Sequence, residues 1–399
     1  MSKASSPNTI LAIVTLSHAA THLYLGLMPV LYPAILEDLK LSYMELGLLV
    51  TGYSLAVSLP QVVFGFLRKY VLRRIILGIG ILLLSFMNIL SSIARDFLQL
   101  FIYRTISGIG SSPQHPLGTS YLVEKFPSHR RGRILGMSIA GANIGIAIAP
   151  FIASFTLPLL GWRTTLFLFS IPGIFIGAVY LLFIKEEASK KGKSDDHHSS
   201  KSLKRDMGSI LGDRNLLILT LLQLVVVFSF GATRFIPTYL VDFLGMNVSQ
   251  GGLFFTILTL GSVLGPFTLG FVADRFGRKY TSIIIMLSTS LLLYLLPLSR
   301  NYFFLLSTIF ILGLLIQSAG PILQAILGDV AEEEMLDLAY GFFFTVSFGL
   351  ASFSPIIFGY LIDTMGFISS FTAFALVSGI LTLPAFLIQG ERTDGGERS

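Results

Sequence analysis

The sequence contains no cysteine. Disulfides, thiolate metal sites and thiol catalysis are therefore excluded. Charge is scarce as well: Asp, Glu, Lys and Arg make up only 13% of 399 residues, against the roughly 25% of an ordinary soluble chain. Hydrophobic residues reach 53%, so the composition is that of a membrane protein. No plausible nucleophile–base pair, phosphate-binding glycine loop or cluster of metal ligands is recognisable, which argues against an enzyme and against a cofactor. The first residues, MSKASSPNTI, lead into an apolar run of spanning length with no small-residue cleavage site. This predicts a retained first helix, not a secretory signal.

A spanning helix needs about 20 mostly apolar residues. Twelve such runs can be marked: 10–34, 43–66, 75–93, 97–121, 134–158, 164–184, 215–240, 250–272, 281–299, 302–328, 339–362 and 368–388. They are too long and too uniformly apolar for barrel strands, so an all-α membrane protein with twelve transmembrane helices is expected. Lysine and arginine set its orientation. With a cytoplasmic N-terminus, inner segments hold 22 of the 28, outer loops hold 4 (Lys40, Arg95, Arg163, Arg300), and Arg104 and Arg234 lie inside spans. Both termini are thus expected in the cytoplasm of a multi-pass cell-membrane protein. The net charge of +6 follows from that bias, and no nucleic-acid partner is expected. Residues 185–214, the only long polar stretch, read as a flexible cytoplasmic linker. It separates an N-terminal six-helix half, 1–184, from a C-terminal one, 215–399.

The halves repeat at an offset of 205. GFLRKYVLRR (65–74) aligns with GFVADRFGRK (270–279), and Gly26 with Gly231, Gly108 with Gly313, Pro116 with Pro321, Pro150 with Pro355 and Gly161 with Gly366. Chance would match Leu and Ile often, but not this many Gly and Pro. Two six-span halves in parallel repeat are the signature of one large transporter architecture.

In these motifs the chain resembles the major facilitator superfamily over its full length. GFVADRFGRK is similar to that family's cytoplasmic loop signature, RTISGIGSS (104–112) to its fourth-helix arginine motif, and GANIGIAIAP (141–150) to a fifth-helix motif associated with exporters. A narrower resemblance, to fosmidomycin-resistance exporters, rests on SHAATHLYLGLMPVLYP (17–33) and GIGSSPQHP (108–116). Here His22 stands where those exporters carry an acid, and Gln114 where they carry Phe. The resemblance implies inverted three-helix repeats within each half, and a central cavity lined by the first helix of each three-helix unit.

The polar residues agree with that lining. Thr15, His18, His22, Gly26 and Pro29 recur on one face of the first span, and Arg104, Gly108, Ser111, His115 and Thr119 on one face of the fourth. The seventh carries Gln223 and Arg234; the tenth carries Gln317, Gly320, Pro321 and Gln324. An ionisable residue costs about 2.5 kcal/mol or more in a bilayer, so it usually faces a cavity or a partner. Arg104 and Arg234 read either as clamps on an anionic substrate or as ties to helix carbonyls, with Asp242 a partner open to Arg234. No Asp or Glu lies in the middle of the lining spans, which leaves His18, His22 and His115 as candidate proton carriers or as neutral residues that shape the cavity. The His18–His22 spacing suits zinc, but with no thiolate or carboxylate nearby no metal is expected. Pro113 and Pro116 should break the fourth span and expose Gln114, while Tyr24 lines the space or simply packs.

Two transport functions follow: proton-coupled export of a small organic molecule, or import or exchange of organic anions through Arg104 and Arg234. A sensor on the same scaffold is a third class, disfavoured because no signalling domain is present. The expected partners are a small-molecule substrate, protons and the lipid bilayer, with the chain acting as a monomer. The resemblance also implies that the loop aspartate meets a helix start in the opposite half. That sets Asp274, with Arg275 and Arg278 beside it, against Arg130, Arg131 and Arg133. In the first copy Lys69 replaces the aspartate, and Arg68, Lys69 and Arg73 would face Glu332, Glu333, Glu334 and Asp337. The first copy is then either a latch of reversed polarity or a drifted repeat. Leu72 in place of Gly277 predicts a differently shaped turn.

Overall fold

The structure, a computed structural model, describes residues 5–68, 70–185, 211–299, 301–331 and 336–388. Among these residues every regular element is a helix. In chain order they are α1 (Pro7–Leu39), α2 (Tyr43–Ser58), α3 (Gln61–Leu67), α4 (Arg73–Ser92), α5 (Phe97–Ser111), α6 (Thr119–Lys125), α7 (Ser128–Leu182), α8 (Arg214–Thr233), α9 (Val248–Phe276), α10 (Arg278–Leu295), α11 (Tyr302–Ile316), α12 (Ala319–Val330), α13 (Leu336–Ala351) and α14 (Ser354–Thr382). Nine helices among the described residues are long and apolar enough to cross a membrane.

Local chemistry sets their ends. Ser6 caps α1 by accepting from the Thr9 amide, with Pro7 at the first helical position. Ser42 and Glu45 form a reciprocal capping box on α2. Asp96, Asp213 and Asn301 cap α5, α8 and α11 through side-chain oxygens. Each cap satisfies amide groups that a helix start leaves without partners. The 55-residue α7 bends at Gly161 (φ 73°), and α14 bends at its repeat partner Gly366 (φ 77°). Both need the left-handed conformation that glycine adopts at little cost.

The repeated loop differs as its residues predict. Gly277 starts α10 at φ 96°, whereas Leu72 starts α4 at φ −62°. Outward-facing Ile79, Phe86, Phe175, Ile284, Leu376 and Ile380 are all more than half exposed. Apolar residues bare on this scale would be a liability in water, and in a bilayer they face lipid.

Two compact units result: Met1–Gly192 with Ile236–Thr256, and Lys193–Phe235 with Ile257–Ser399. The segment Ile236–Thr256 joins the first unit through specific contacts. Tyr43 donates to Asp242 Oδ2 at 3.1 Å, Ser249 donates to the Ser154 carbonyl at 2.7 Å, and Gly252 packs on Ser154 and Val30. Most of the 185–214 stretch read as a linker lies outside the described residues.

Small residues set the closest approaches inside the first unit. A Cβ on Gly145 would lie 2.2 Å from the Ala19 carbonyl oxygen, and one on Gly141 would lie 2.4 Å from Thr15 Cγ2. Glycine at both places lets α7 lie directly against α1. Such contact matters more in lipid than in water, because burying apolar area there gives little driving force.

Candidate functional site

The α1–α7 contact fixes the depth of two histidines. His18 and His22 are one turn apart on α1, and their ring centroids lie 4.7 Å from each other. The third ring arrives from a break in the chain. Pro113 and Pro116 lack amide hydrogens, so each removes a helical hydrogen bond and favours a kink or break. Between α5 and α6 the chain opens instead into a wide π-turn over Gln114–Gly118. That turn places His115 with its centroid 5.1 Å from His18 and 5.4 Å from His22.

Gln114 staples the turn to α1. Its Oε1 accepts from Ser17 Oγ at 2.7 Å, and its Nε2 donates to the Val14 carbonyl at 3.2 Å. Gln114 is therefore buried, contrary to the exposure expected from the proline break. Its exposed neighbour in the turn is His115.

His18 is buried, and its Nδ1 lies 3.2 Å from Ser138 Oγ on α7. The Nε2 atoms of His18 and His22 are buried and have no hydrogen-bond partner. With Nδ1–H donated to Ser138, His18 Nε2 keeps its lone pair. Three imidazoles, two with inward nitrogens unsatisfied, can accept protons or ligate a cation.

The other predicted residues are dispersed. Arg104, only 4% exposed, donates to Asn88 Oδ1 on α4 and stands 4.7 Å from the Tyr53 ring centroid on α2. That environment is a tie among three helices of the first unit. Tyr24 is buried and donates to the Phe169 carbonyl at 3.1 Å. In the second unit Gln223 is buried beside Gly320, with its Oε1 lacking a hydrogen-bond partner. At the offset of 205, Gln223 corresponds to His18 and Gly320 to His115, so the second unit repeats the position with different chemistry. Arg234 caps α8 and lies over the Phe230 ring at 5.2 Å. Gln317 and Gln324 are half-buried.

At the repeated loop the described arginines are held inside their own units. Glu124, at the end of α6, binds Arg73 at 2.7 Å and Arg68 at 3.0 Å. Asp329, near the end of α12, binds Arg278 at 2.6 Å, and Asp274 binds the same guanidinium at 3.1 Å. Glu124 and Asp329 are 205 residues apart, as are Arg73 and Arg278. The loop thus repeats an arginine–carboxylate clamp, although Lys69 and Asp274 differ in sign. Neither Glu124 nor Asp329 stands out in a single span; the repeat offset was the signal that could have found both.

Burial of the Glu124 carboxyl pushes its pKa up. The hydrogen bond from Arg73 and the charges of Arg73, Lys125 and Arg68 outweigh this and hold it below the usual value. Arg131 donates to the carbonyls of Val123 and Phe126, Arg130 and Arg133 are exposed, and Arg275 lies over the Phe276 ring. Lys69, Glu332, Glu333, Glu334 and the Asp337 side chain fall outside the described residues.

The chain is 24% identical over 399 residues to the fosmidomycin resistance protein of Escherichia coli, covering 96% of this chain and 93% of that one. It is 21% identical over 378 residues to the hexuronate transporter of Bacillus subtilis, covering 89% and 87%. The crystal structure of a D-xylose–proton symporter superposes with a TM-score of 0.76 at 16% identity, covering 97% of this chain and 99% of the other. The sequence model of the Major Facilitator Superfamily matches residues 12–262 and 224–398. Its members and these relatives are transporters, not enzymes, and the chain belongs to the Major Facilitator Superfamily.

Proposed function

We propose that this membrane transporter is a proton-coupled exporter of a small organic molecule, working by alternating access between two six-helix halves. The observation that carries this reading is the cluster of His18, His22 and His115 on α1 and the π-turn. Proton coupling needs a group inside the membrane that gains and loses a proton at ordinary pH. No carboxylate stands in the middle of the lining spans, and imidazole is the side chain suited to that range. Gln223 and Gly320, their repeat partners, offer the second half a neutral face for substrate, with Gln317 and Gln324 further along the same span. Twelve crossings fit if α7, bent at Gly161, crosses twice, α13 and α14 together cross twice about the bend at Gly366, and the broken segment 97–121 crosses once. Lysine and arginine bias supports both termini in the cytoplasm, and nothing in the sequence calls for more than a monomer.

A second reading, import or exchange of an organic anion, draws support from the hexuronate transporter among the relatives. Buried Arg104, tied to Asn88 and Tyr53, favours it less than Arg234 does. Transport in proteoliposomes under an imposed pH gradient of either sign separates the two readings. Labelled fosmidomycin and a labelled hexuronate are the first probes, followed by compounds selected in a thermal-shift screen. Efflux accelerated by inward proton flow supports the exporter. Indifference to the gradient for every transported compound sinks proton coupling.

The loop residues form the proposed cytoplasmic gate, Asp274 toward Arg130, Arg131 and Arg133, and Lys69 toward Glu332, Glu333, Glu334 and Asp337. Lys69→Asp should weaken closure and Glu333→Lys should partly restore it. A double variant no better than the single one in conformational labelling removes the latch.

A further inference from the structure

We propose that His18, His22 and His115 form a binding site for a borderline divalent transition-metal ion, of the zinc, cobalt and nickel class, with one coordination position left open. The sequence places His18 and His22 at i and i+4, a spacing that suits zinc, with no thiolate or carboxylate nearby. The π-turn supplies the third. One ligating nitrogen from each ring lies within 4.8 Å of the other two, the one such group of three among the described residues. An ion equidistant from three nitrogens at that outer spacing would stand about 2.8 Å from each. The rings must therefore draw in by about 0.7 Å to reach the ~2.1 Å of a zinc–imidazole bond. Rotation of His115, which is exposed and sits in an irregular turn, can supply much of that movement.

Three further observations point to a ligand. The Nε2 atoms of His18 and His22 are buried and have no hydrogen-bond partner, a costly state that a bound cation would relieve. The Nδ1 of His18 is engaged by Ser138 Oγ, the outer-shell contact that typically fixes a ligating histidine's tautomer and turns its other nitrogen to the metal. His115 is exposed while His18 is buried, so the cluster has an open side through which an ion can enter and a closed side that holds it.

Neutral imidazoles without thiolates suit zinc, cobalt, nickel and copper, and disfavour magnesium and calcium, which demand oxygen. Three protein ligands leave a fourth, open position for water or for an anionic donor such as a carboxylate. The inference stands on this geometry and not on proton coupling.

The test uses the full chain purified through a tag without histidine, carrying His197→Ala and His198→Ala so that the linker pair binds nothing. Cobalt(II) is the probe, read by equilibrium dialysis and by its visible absorption. The expected result is one equivalent per chain with the intense bands of a four-coordinate ion. His18→Ala, His22→Ala and His115→Ala should each weaken binding at least tenfold, and Ser138→Ala by about 10–100-fold. His115 is exposed, so its variant tests the site even if the buried ones misfold. Absence of cobalt binding to the chain with all three histidines intact overturns the proposal. So does binding that His115→Ala leaves unchanged in a monodisperse protein. Binding is read without transport, so failure here and failure of the exporter reading are separate results.

Discussion

Arg104 carries two readings, an anion clamp and a structural tie. An arginine inside a span invites the reading of an anion clamp, yet its guanidinium is shut between Asn88 and the Tyr53 ring. Lysine cannot reproduce both the fork and the stacking, and a desolvated cation–π contact alone contributes about 2 kcal/mol. Arg104→Lys should therefore lower thermal stability in detergent by about 2 kcal/mol. An unchanged melting temperature with a raised KM would restore the clamp. The histidines divide differently. That His18 and His22 share a face was legible from their spacing. The approach of His115 was not, because it depends on how far the π-turn swings toward α1. Gln114 was misjudged for the same reason: the prolines announce a break, but not which side chain the widened turn sends inward.

Helices were the most legible level, since about 20 apolar residues in a row leave little choice of structure. Their contacts were less so. The glycines at 141 and 145 set the contact of α1 with α7 inside the first unit. That contact carries Ser138 to His18. Gly145→Val would push α7 off the Ala19 carbonyl, at a cost of about 1–3 kcal/mol for overpacking, and would part Ser138 from His18. Reduced thermal stability together with transport lowered at least tenfold is the expected outcome. Gly136→Val, with nothing within 4 Å of its Cβ position, is the matched control and should change neither. The loss of activity in both variants equally would mean that the α1–α7 approach is not special.

Across the whole molecule, the offset of 205 relates residues that do not stand out singly. The loop that carries Lys69 in one copy and Asp274 in the other keeps one device in both: an arginine at the start of a helix, held by an acid 51 residues later. The copies differ in burial. Arg73 is 3% exposed and is held by Glu124, which also binds Arg68, whereas Arg278, held by Asp274 and Asp329, is 34% exposed. Glu124→Gln should thus destabilise the protein by about 1–2 kcal/mol, a buried-pair loss reduced by the exposure of its acid. Asp329→Asn should cost less than about 1 kcal/mol. Because the folded pKa of Glu124 is lowered, its stabilisation is complete above the ordinary carboxylate pKa and fades as pH falls through the folded value. Thermal unfolding of wild type and Glu124→Gln should differ at pH 7 and converge only in acid, below the ordinary carboxylate range. A constant difference across that range would assign the effect to something other than the clamp.

The central claim is that the three histidines form the coupling centre of the transporter. It is tested most directly by proton movement in proteoliposomes, read with an internal pH dye while the identified substrate flows out. Wild type should acidify the lumen as substrate leaves. A monodisperse variant carrying His18→Gln, His22→Gln and His115→Gln should move no protons. Wild-type proton flux from that variant, or none from the native chain during substrate efflux, would contradict the account.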